Sequence, residues 1–175
     1  LSDFDRAINI KRDFVDAHYN KGNCYKAMHN YDKAIESYKK ALFFNPKHYD
    51  SLTNIGTCYQ HKQDFVTSLD KFNESLKFCP NNWITYNNIG YAHHVLMDLD
   101  KSLEAYNKAI ELNPVTTDPH FNKGLVHLTR GEWDKGWHGH EVRWSNKFSP
   151  VKLPNLWQGE DLTDKTIFIH HEQGL

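Results

Sequence analysis

An Asn-x-Gly triplet recurs through the sequence at a constant interval of 34 residues. A fixed period of this length is typical of a chain that stacks one supersecondary unit instead of folding into a single globule. Such a stack presents a long continuous surface, and the same amide side chain returns to one place on it in every unit. The repeat therefore favours a binding scaffold over a catalyst. The four copies are Asn20-Lys21-Gly22, Asn54-Ile55-Gly56, Asn88-Ile89-Gly90 and Asn122-Lys123-Gly124.

Between successive triplets, the apolar residues follow the spacing of a helix and not the alternation of a strand. Small residues at the inward positions let two helices approach closely, and an aromatic residue fills the gap between them. Proline ends each unit because it cannot continue a helix. A polar turn divides each unit in two, and Asn30, Asp64 and Asp98 are predicted to cap the helix that follows. In the first full unit the inward residues are His18, Gly22, Tyr25, Ala34, Tyr38 and Ala41, and the prolines are Pro46, Pro80 and Pro114.

These residues resemble the signature of the tetratricopeptide repeat family. The resemblance implies an all-α fold, a right-handed solenoid of helix-turn-helix units. Residues 1–14 match only the second helix of an earlier unit, so the array is expected to begin in mid-unit. Full units are expected at 15–48, 49–82 and 83–116, and a degenerate capping unit at 117–146. In that last unit Gly136, His140 and Arg143 stand where the family has small, aromatic and alanine residues.

The composition changes after about Trp133, where tryptophan and proline become frequent. Residues 147–164 read as a linker, and Lys165–His170 reads as a β-branched, apolar strand. A lone strand at the end of a helical stack has no partner. The sequence therefore predicts that residues 165–175 begin a truncated α/β domain, and that the chain is a piece of a longer protein.

This tail is similar to the junction in bacterial tetratricopeptide proteins that carry a heptosyltransferase-like glycosyltransferase domain. The resemblance implies that the helical array delivers an acceptor to an attached transferase. The alternative is a free-standing adaptor without enzymatic activity. No catalytic residue can be assigned, and His170 is the one histidine that matches the junction motif. The matching runs are Trp133-Asp134-Lys135-Gly136-Trp137, Glu141-x-Arg143-Trp144, Leu156-Trp157-x-Gly159 and Lys165-Thr166-Ile167-x-x-His170-x-Glu172-Gln173-Gly174-Leu175.

Charge and composition exclude some partners. The formal charge is −1, so no basic excess exists to neutralise a phosphate backbone, which disfavours nucleic acid. The apolar runs are too short to span a bilayer. No signal peptide pattern is visible, although the missing initiator Met leaves a removed leader open. Cys24, Cys58 and Cys79 have no paired spacing, which favours reduced thiols and a cytoplasmic location.

The candidate site is a ridge formed by the asparagine at the sixth position of each unit. An amide offers two donor hydrogens and an acceptor oxygen, so a row of amides can pair with the backbone of a bound peptide. The row resembles the asparagine ladder in the superhelix of O-linked N-acetylglucosamine transferase, which places it in the concave groove. The alternative is that these amides only satisfy neighbouring backbone. The candidate peptide-binding residues are Asn20, Asn54, Asn88 and Asn122, with Tyr19, Asn87, Tyr91 and Phe121 beside them.

Other ligands have less support. A clamp for a carboxylate-ended peptide needs cations in the third unit, where the groove carries Ile84, Asn87, Asn88 and Tyr91 instead. Asp16, Asp50 and Asp118 lie in first turns, where they complement the helix dipole. None of the twelve histidines has a spacing suited to a metal, so no metal and no cofactor are expected. Self-association through an exposed apolar edge stays open.

Overall fold

The structure is a computed structural model that describes residues 1–141. Within this range every regular element is an α-helix, which confirms the all-helical prediction for these residues. The predicted linker at 147–164 and the predicted strand and second domain at 165–175 lie outside the described range. The helices are α1 (Ser2–Ile10), α2 (Val15–Ala27), α3 (Tyr31–Phe44), α4 (Tyr49–His61), α5 (Phe65–Leu76), α6 (Trp83–Val95), α7 (Leu99–Leu112), α8 (Asp118–Thr129) and α9 (Trp133–Glu141).

Consecutive helices pack against each other along the whole stack. In addition, α4 contacts α6 and α6 contacts α8, whereas over residues 1–141 no contact of that extent joins α3 to α5 or α5 to α7. Elements on the inside of a curved stack lie closer together than those on the outside. The first helices of the units, α2, α4, α6 and α8, therefore form the inner wall, and α3, α5, α7 and α9 form the outer layer.

A glycine of the inner helix packs against an aromatic ring of the outer helix in the first three units. A Cβ atom added to any of these glycines would lie only 2.5–2.7 Å from the nearest ring atom. The rings themselves are fully buried. The glycine of the Asn-x-Gly triplet is thus required for the close approach of the two helices. The pairs are Gly22 with Tyr38, Gly56 with Phe72 and Gly90 with Tyr106.

The fourth unit packs differently, as its atypical sequence suggests. A Cβ atom added to Gly124 would lie 2.9 Å from the backbone oxygen of Gly136 and 2.9 Å from the Cα atom of Gly139. Here the two helices touch backbone to backbone, with no ring between them at this contact. Three glycines permit the approach because none carries a side chain.

The turn between the two helices has the same form in every unit. Its second residue adopts a left-handed conformation, with φ of 56° at His29, 62° at Gln63, 61° at Met97 and 77° at Gly131. The next backbone N–H then donates to the carbonyl five residues earlier, as Asn30 does to Tyr25 at 2.9 Å. This arrangement closes the end of each inner helix.

The predicted caps are confirmed in two of three cases. The Asn30 side chain accepts a bond from the Lys33 N–H at 3.2 Å, and Asp64 accepts one from the Thr67 N–H at 3.1 Å. The prediction is wrong for Asp98, whose side chain makes no cap bond. The Lys101 ammonium lies 2.7 Å from the Asp98 carboxylate and engages it instead. No helix among residues 1–141 is long and apolar enough to cross a membrane.

Candidate functional site

Polar side chains link each inner helix to the next, and we call each set of these contacts a rung. In the α2–α4 rung, the hydrogen bonds converge on the side-chain amide of Asn54. Asn54 Nδ2 donates to Tyr19 Oη at 3.1 Å and to Asn23 Oδ1 at 3.2 Å. Lys26 Nζ donates to Asn54 Oδ1 at 2.6 Å. The oxygen and both donor directions of this amide are therefore used inside the protein.

The residues of this rung are partly buried. The Tyr19 ring packs 5.8 Å from the Tyr38 ring and 5.0 Å from the His48 ring, measured between centroids. Burial lowers the pKa of Lys26, whose ammonium is half-enclosed beside Asn54. The structure thus brings Tyr19 and Asn54 together as a link between the first and second units.

In the α4–α6 rung, Thr53 Oγ1 lies 3.0 Å from Thr85 Oγ1, but the asparagine of the ridge, Asn88, is engaged less closely than Asn54. Asn88 Nδ2 lies 3.5 Å from Thr57 Oγ1, at the outer limit of a hydrogen bond. Gln60 Nε2 donates to the backbone oxygen of Asn88 at 2.7 Å and not to the Asn88 side chain. Within residues 1–141, no other side-chain bond of Asn88 is present. The Asn88 amide is therefore less engaged than Asn54, although both have the same position in their units.

The α6–α8 rung combines paired and unpaired groups. Asn122 Nδ2 donates to Asn87 Oδ1 at 3.1 Å, and His94 Nε2 lies 3.0 Å from Thr129 Oγ1. Behind this rung, the buried Tyr106 hydroxyl has no hydrogen-bond partner among the described residues. Its neighbour Tyr91 occupies the position that Asn23 has in the first unit.

An apolar stripe runs along the exposed face of α6. Ile84, Tyr91 and Val95 are 48%, 47% and 44% exposed. Their spacing of seven and four residues places them on one side of the helix, with Asn87 and Asn88 between the first two. We call these three residues the α6 stripe. The same positions in the other inner helices are Asp16, Asn23 and Ala27, then Asp50, Thr57 and His61, then Asp118, Leu125 and Thr129.

The surroundings of the α6 stripe carry little positive charge. Neither α4 nor α6 contains a lysine or an arginine. Asp50 and Asp118 occupy the position of Ile84 in the flanking units. Lys26, on α2, is bound to Asn54. The arrangement is electrostatically unsuited to an acidic ligand.

The remaining predicted residues lie on the same inner helices. The oxygen of Asn20 is 3.5 Å from Asn23 Nδ2, and Phe121 is half-buried on α8. The structure adds Asn23, Lys26 and Val95, which the sequence analysis did not single out. Their spacing could have identified them in the sequence, since residues three, six and seven places after the ridge asparagine lie on one helical face.

Among the described residues, the histidines and cysteines form no metal site and Cys58 is not a reactive thiol. Within residues 1–141, no group of three His, Cys, Asp or Glu side chains could hold a metal ion. Cys24, Cys58 and Cys79 are free thiols, and burial raises the pKa of Cys58 to about 11. A buried thiol with a raised pKa is a poor nucleophile.

The family model for the tetratricopeptide repeat matches residues 15–48 and 83–114. Together with the fold, this match shows that the chain carries tetratricopeptide repeats. No curated protein matches the chain.

Several solved structures share the fold. A crystal structure of MamA superposes with a TM-score of 0.71 at 18% identity, covering 81% of this chain and 83% of that one. MamA 41-end from Desulfovibrio magneticus RS-1 has a TM-score of 0.72 at 18% identity, covering 82% and 84%. The first TPR of Spaghetti (RPAP3), bound to the HSP90 peptide SRMEEVD, has a TM-score of 0.64 at 21% identity, covering 67% and 93%.

Proposed function

We propose that this chain is a binding scaffold that holds an extended peptide or protein segment on its inner wall. The observation that carries the proposal is the α6 stripe with its interleaved amides. Nearly half of each stripe side chain is exposed, whereas the equivalent positions of the other inner helices carry mostly polar residues. Exposed apolar residues that cluster next to hydrogen-bonding groups are typical of interaction sites.

The amides and the stripe serve different parts of a bound segment. Asn88 and Asn122 pair with backbone N–H and C=O groups of the bound segment, and such pairing does not depend on the side chains of that segment. Each neutral hydrogen bond contributes about 0.5–1.5 kcal/mol net, so amides alone give weak binding. Ile84, Tyr91 and Val95 add apolar contact, and tyrosine is often among the residues that contribute most of the binding energy of an interface. Asn54, whose groups are already used, holds the first two units together instead.

The charges favour a neutral or basic partner with an apolar side chain. Asp50 and Asp118 flank the stripe, and α4 and α6 provide no cation. The structural neighbour bound to the peptide SRMEEVD supports peptide recognition by this fold. We expect this chain to bind that acidic peptide poorly, because α4 and α6 carry no lysine or arginine to neutralise its carboxylates.

An affinity measurement tests the proposal. Random twelve-residue peptides displayed on phage are selected on the full chain, and the affinities of the selected peptides are measured by calorimetry. We expect the double variant Asn88→Ala/Asn122→Ala to weaken them about tenfold or more, since two hydrogen bonds are lost. Asn73→Ala/Asn107→Ala is the matched control, because it removes two exposed amides from the outer layer. Equal affinities for both double variants would contradict the proposal.

We further propose that the array recognises the substrate of a glycosyltransferase-type protein in the cytoplasm. The similarity of the tail to the transferase junction supports this role, and most of that tail lies beyond the described residues. Sequencing the open reading frame past Leu175 tests it. A Gly-Asp continuation followed by a few hundred residues of alternating strand and helix favours the transferase, whereas an early stop favours the adaptor.

A further inference from the structure

A second candidate site lies between α8 and α9, the last two helices of the described range. A cavity of about 260 Å³ opens between these helices. Five of its seven lining residues have side chains that can carry positive charge. The lining residues are His120, Lys123, Gly124, His127, Lys135, His138 and Gly139.

The cavity results from the way the fourth unit packs. In the first three units an aromatic ring stands between the inner glycine and the outer helix, whereas Gly124 lies directly against Gly136 and Gly139. The glycines bring backbone to the floor of the cavity. Lys123 and His127 lie on the α8 side of the cavity, opposite the lining residues of α9. Gly139 must stay a glycine, because its Cβ atom would lie 2.6 Å from the Gly124 Cα atom.

The positive charge in this cavity is only partly neutralised. Glu132 Oε2 lies 2.9 Å from His127 Nδ1 and 3.0 Å from Lys135 Nζ. Lys123 has no ion pair among the described residues. Lys21 occupies the same position in the first unit, and there Asp5 neutralises it at 2.6 Å. Glu132 therefore contacts two of the five basic side chains that line the cavity.

We propose that this cavity binds a phosphate or diphosphate group. Ammonium and imidazolium groups donate charge-assisted hydrogen bonds to phosphate oxygens, and Lys123 supplies a cation that has no ion pair within residues 1–141. The volume is below that of sites for whole drug-sized ligands, so it fits the anionic group and not a large cofactor. A metal is not the alternative, since no three His, Cys, Asp or Glu side chains of residues 1–141 converge on one point. The site is separate from the α6 stripe and does not depend on peptide binding.

The test uses the full 175-residue chain with inorganic phosphate and pyrophosphate as probes. Each is titrated at constant ionic strength in sodium chloride, and the imidazole signals of the histidines are followed by NMR. We expect saturable shifts at His120, His127 and His138, while the exposed His29 in the first turn stays unchanged. Phosphate tighter than pyrophosphate indicates a single anionic group, and the reverse indicates a diphosphate.

Two lysine variants decide whether the cavity is responsible. Lys123→Gln should weaken the probe about tenfold, since one charge-assisted bond is lost. Lys21→Gln is the matched control at the same position of the first unit and should leave the affinity unchanged. Linear shifts without saturation, equal losses in both variants, or a cavity already filled by residues 142–175 and silent to both probes would overturn the proposal.

Discussion

Tyr38 Oη donates a 2.7 Å hydrogen bond to Asn23 Oδ1, and the equivalent bond is missing two units later. Tyr106 is as deeply buried as Tyr38, but Tyr91 stands where the first unit has Asn23. Burial raises the pKa of both tyrosine hydroxyls, so both stay protonated and need an acceptor. Only the first of them has one within residues 1–141. This hydrogen bond between the two helices of a unit is therefore present in the first unit and absent among the described residues in the third.

Removing these two hydroxyls should have different effects on stability. We expect Tyr38→Phe to lower the free energy of unfolding by about 1 kcal/mol, because a made hydrogen bond is lost. Tyr106→Phe should leave it unchanged or raise it, since an unpaired buried hydroxyl carries a desolvation cost. Urea unfolding measures both. Phe72, the natural phenylalanine at this position of the second unit, shows that the ring alone suffices there. An equal loss in both variants would contradict this reading.

The contact between Gly56 and Phe72 leaves no room for a methyl group. A Cβ atom on Gly56 would lie 2.5 Å from the ring. We expect Gly56→Ala to lower the free energy of unfolding by about 1–3 kcal/mol through overpacking. Adding Phe72→Leu makes the ring smaller and should recover part of that loss. A double-mutant cycle with no coupling energy between the two positions would show that the contact does not decide the packing.

The stability of the third unit should depend on pH through His93. Its Nδ1 atom is buried without a hydrogen bond, 3.7 Å from Asp98 Oδ2, and burial lowers the pKa of His93. The unfolded chain therefore binds a proton that the folded chain resists. The stabilisation is complete above the unfolded pKa of 6.5 and is lost as the pH falls below it through the folded pKa.

Unfolding by urea between about pH 8 and pH 5 measures this dependence. The variant His93→Tyr installs the residue that the first two units have at this position, Tyr25 and Tyr59. It should reduce the fall in stability on the acid side, and the remaining fall comes from groups such as His94, whose pKa burial also lowers. His61→Tyr, a change at an exposed residue, should leave the slope as it is. An undiminished slope in His93→Tyr would assign the effect to other groups.

The 34-residue period and the glycines were enough to predict the helical units. The glycine that recurs at this interval, such as Gly56, marks the position where the two helices of a unit come into close contact. The turns were harder. Gly131 signals a left-handed residue, but His29, Gln63 and Met97 adopt the same conformation without any such signal. There the stacking of the two helices overrides the local preference of the residue.

The state of each rung could not be predicted from the asparagines themselves. Asn54 and Asn88 have the same position and the same chemistry. Their difference comes from the preceding unit, which offers Asn23 and Lys26 to the first and Thr57 and Gln60 to the second. A contact between neighbouring helices depends on both partners, and the repeated residue shows only one of them.

The most direct test compares Asn54→Ala with Asn88→Ala/Asn122→Ala in two measurements on the same proteins, urea unfolding and calorimetric titration with a phage-selected peptide. Asn54→Ala should lower the free energy of unfolding by about 1–3 kcal/mol, since Lys26 loses its acceptor, with little change in intrinsic peptide affinity. The double variant should lose affinity about tenfold, and its loss of stability should be the smaller of the two. A double variant with full affinity, or an Asn54→Ala protein of unchanged stability that no longer binds the peptide, would contradict the division of roles proposed for the inner wall.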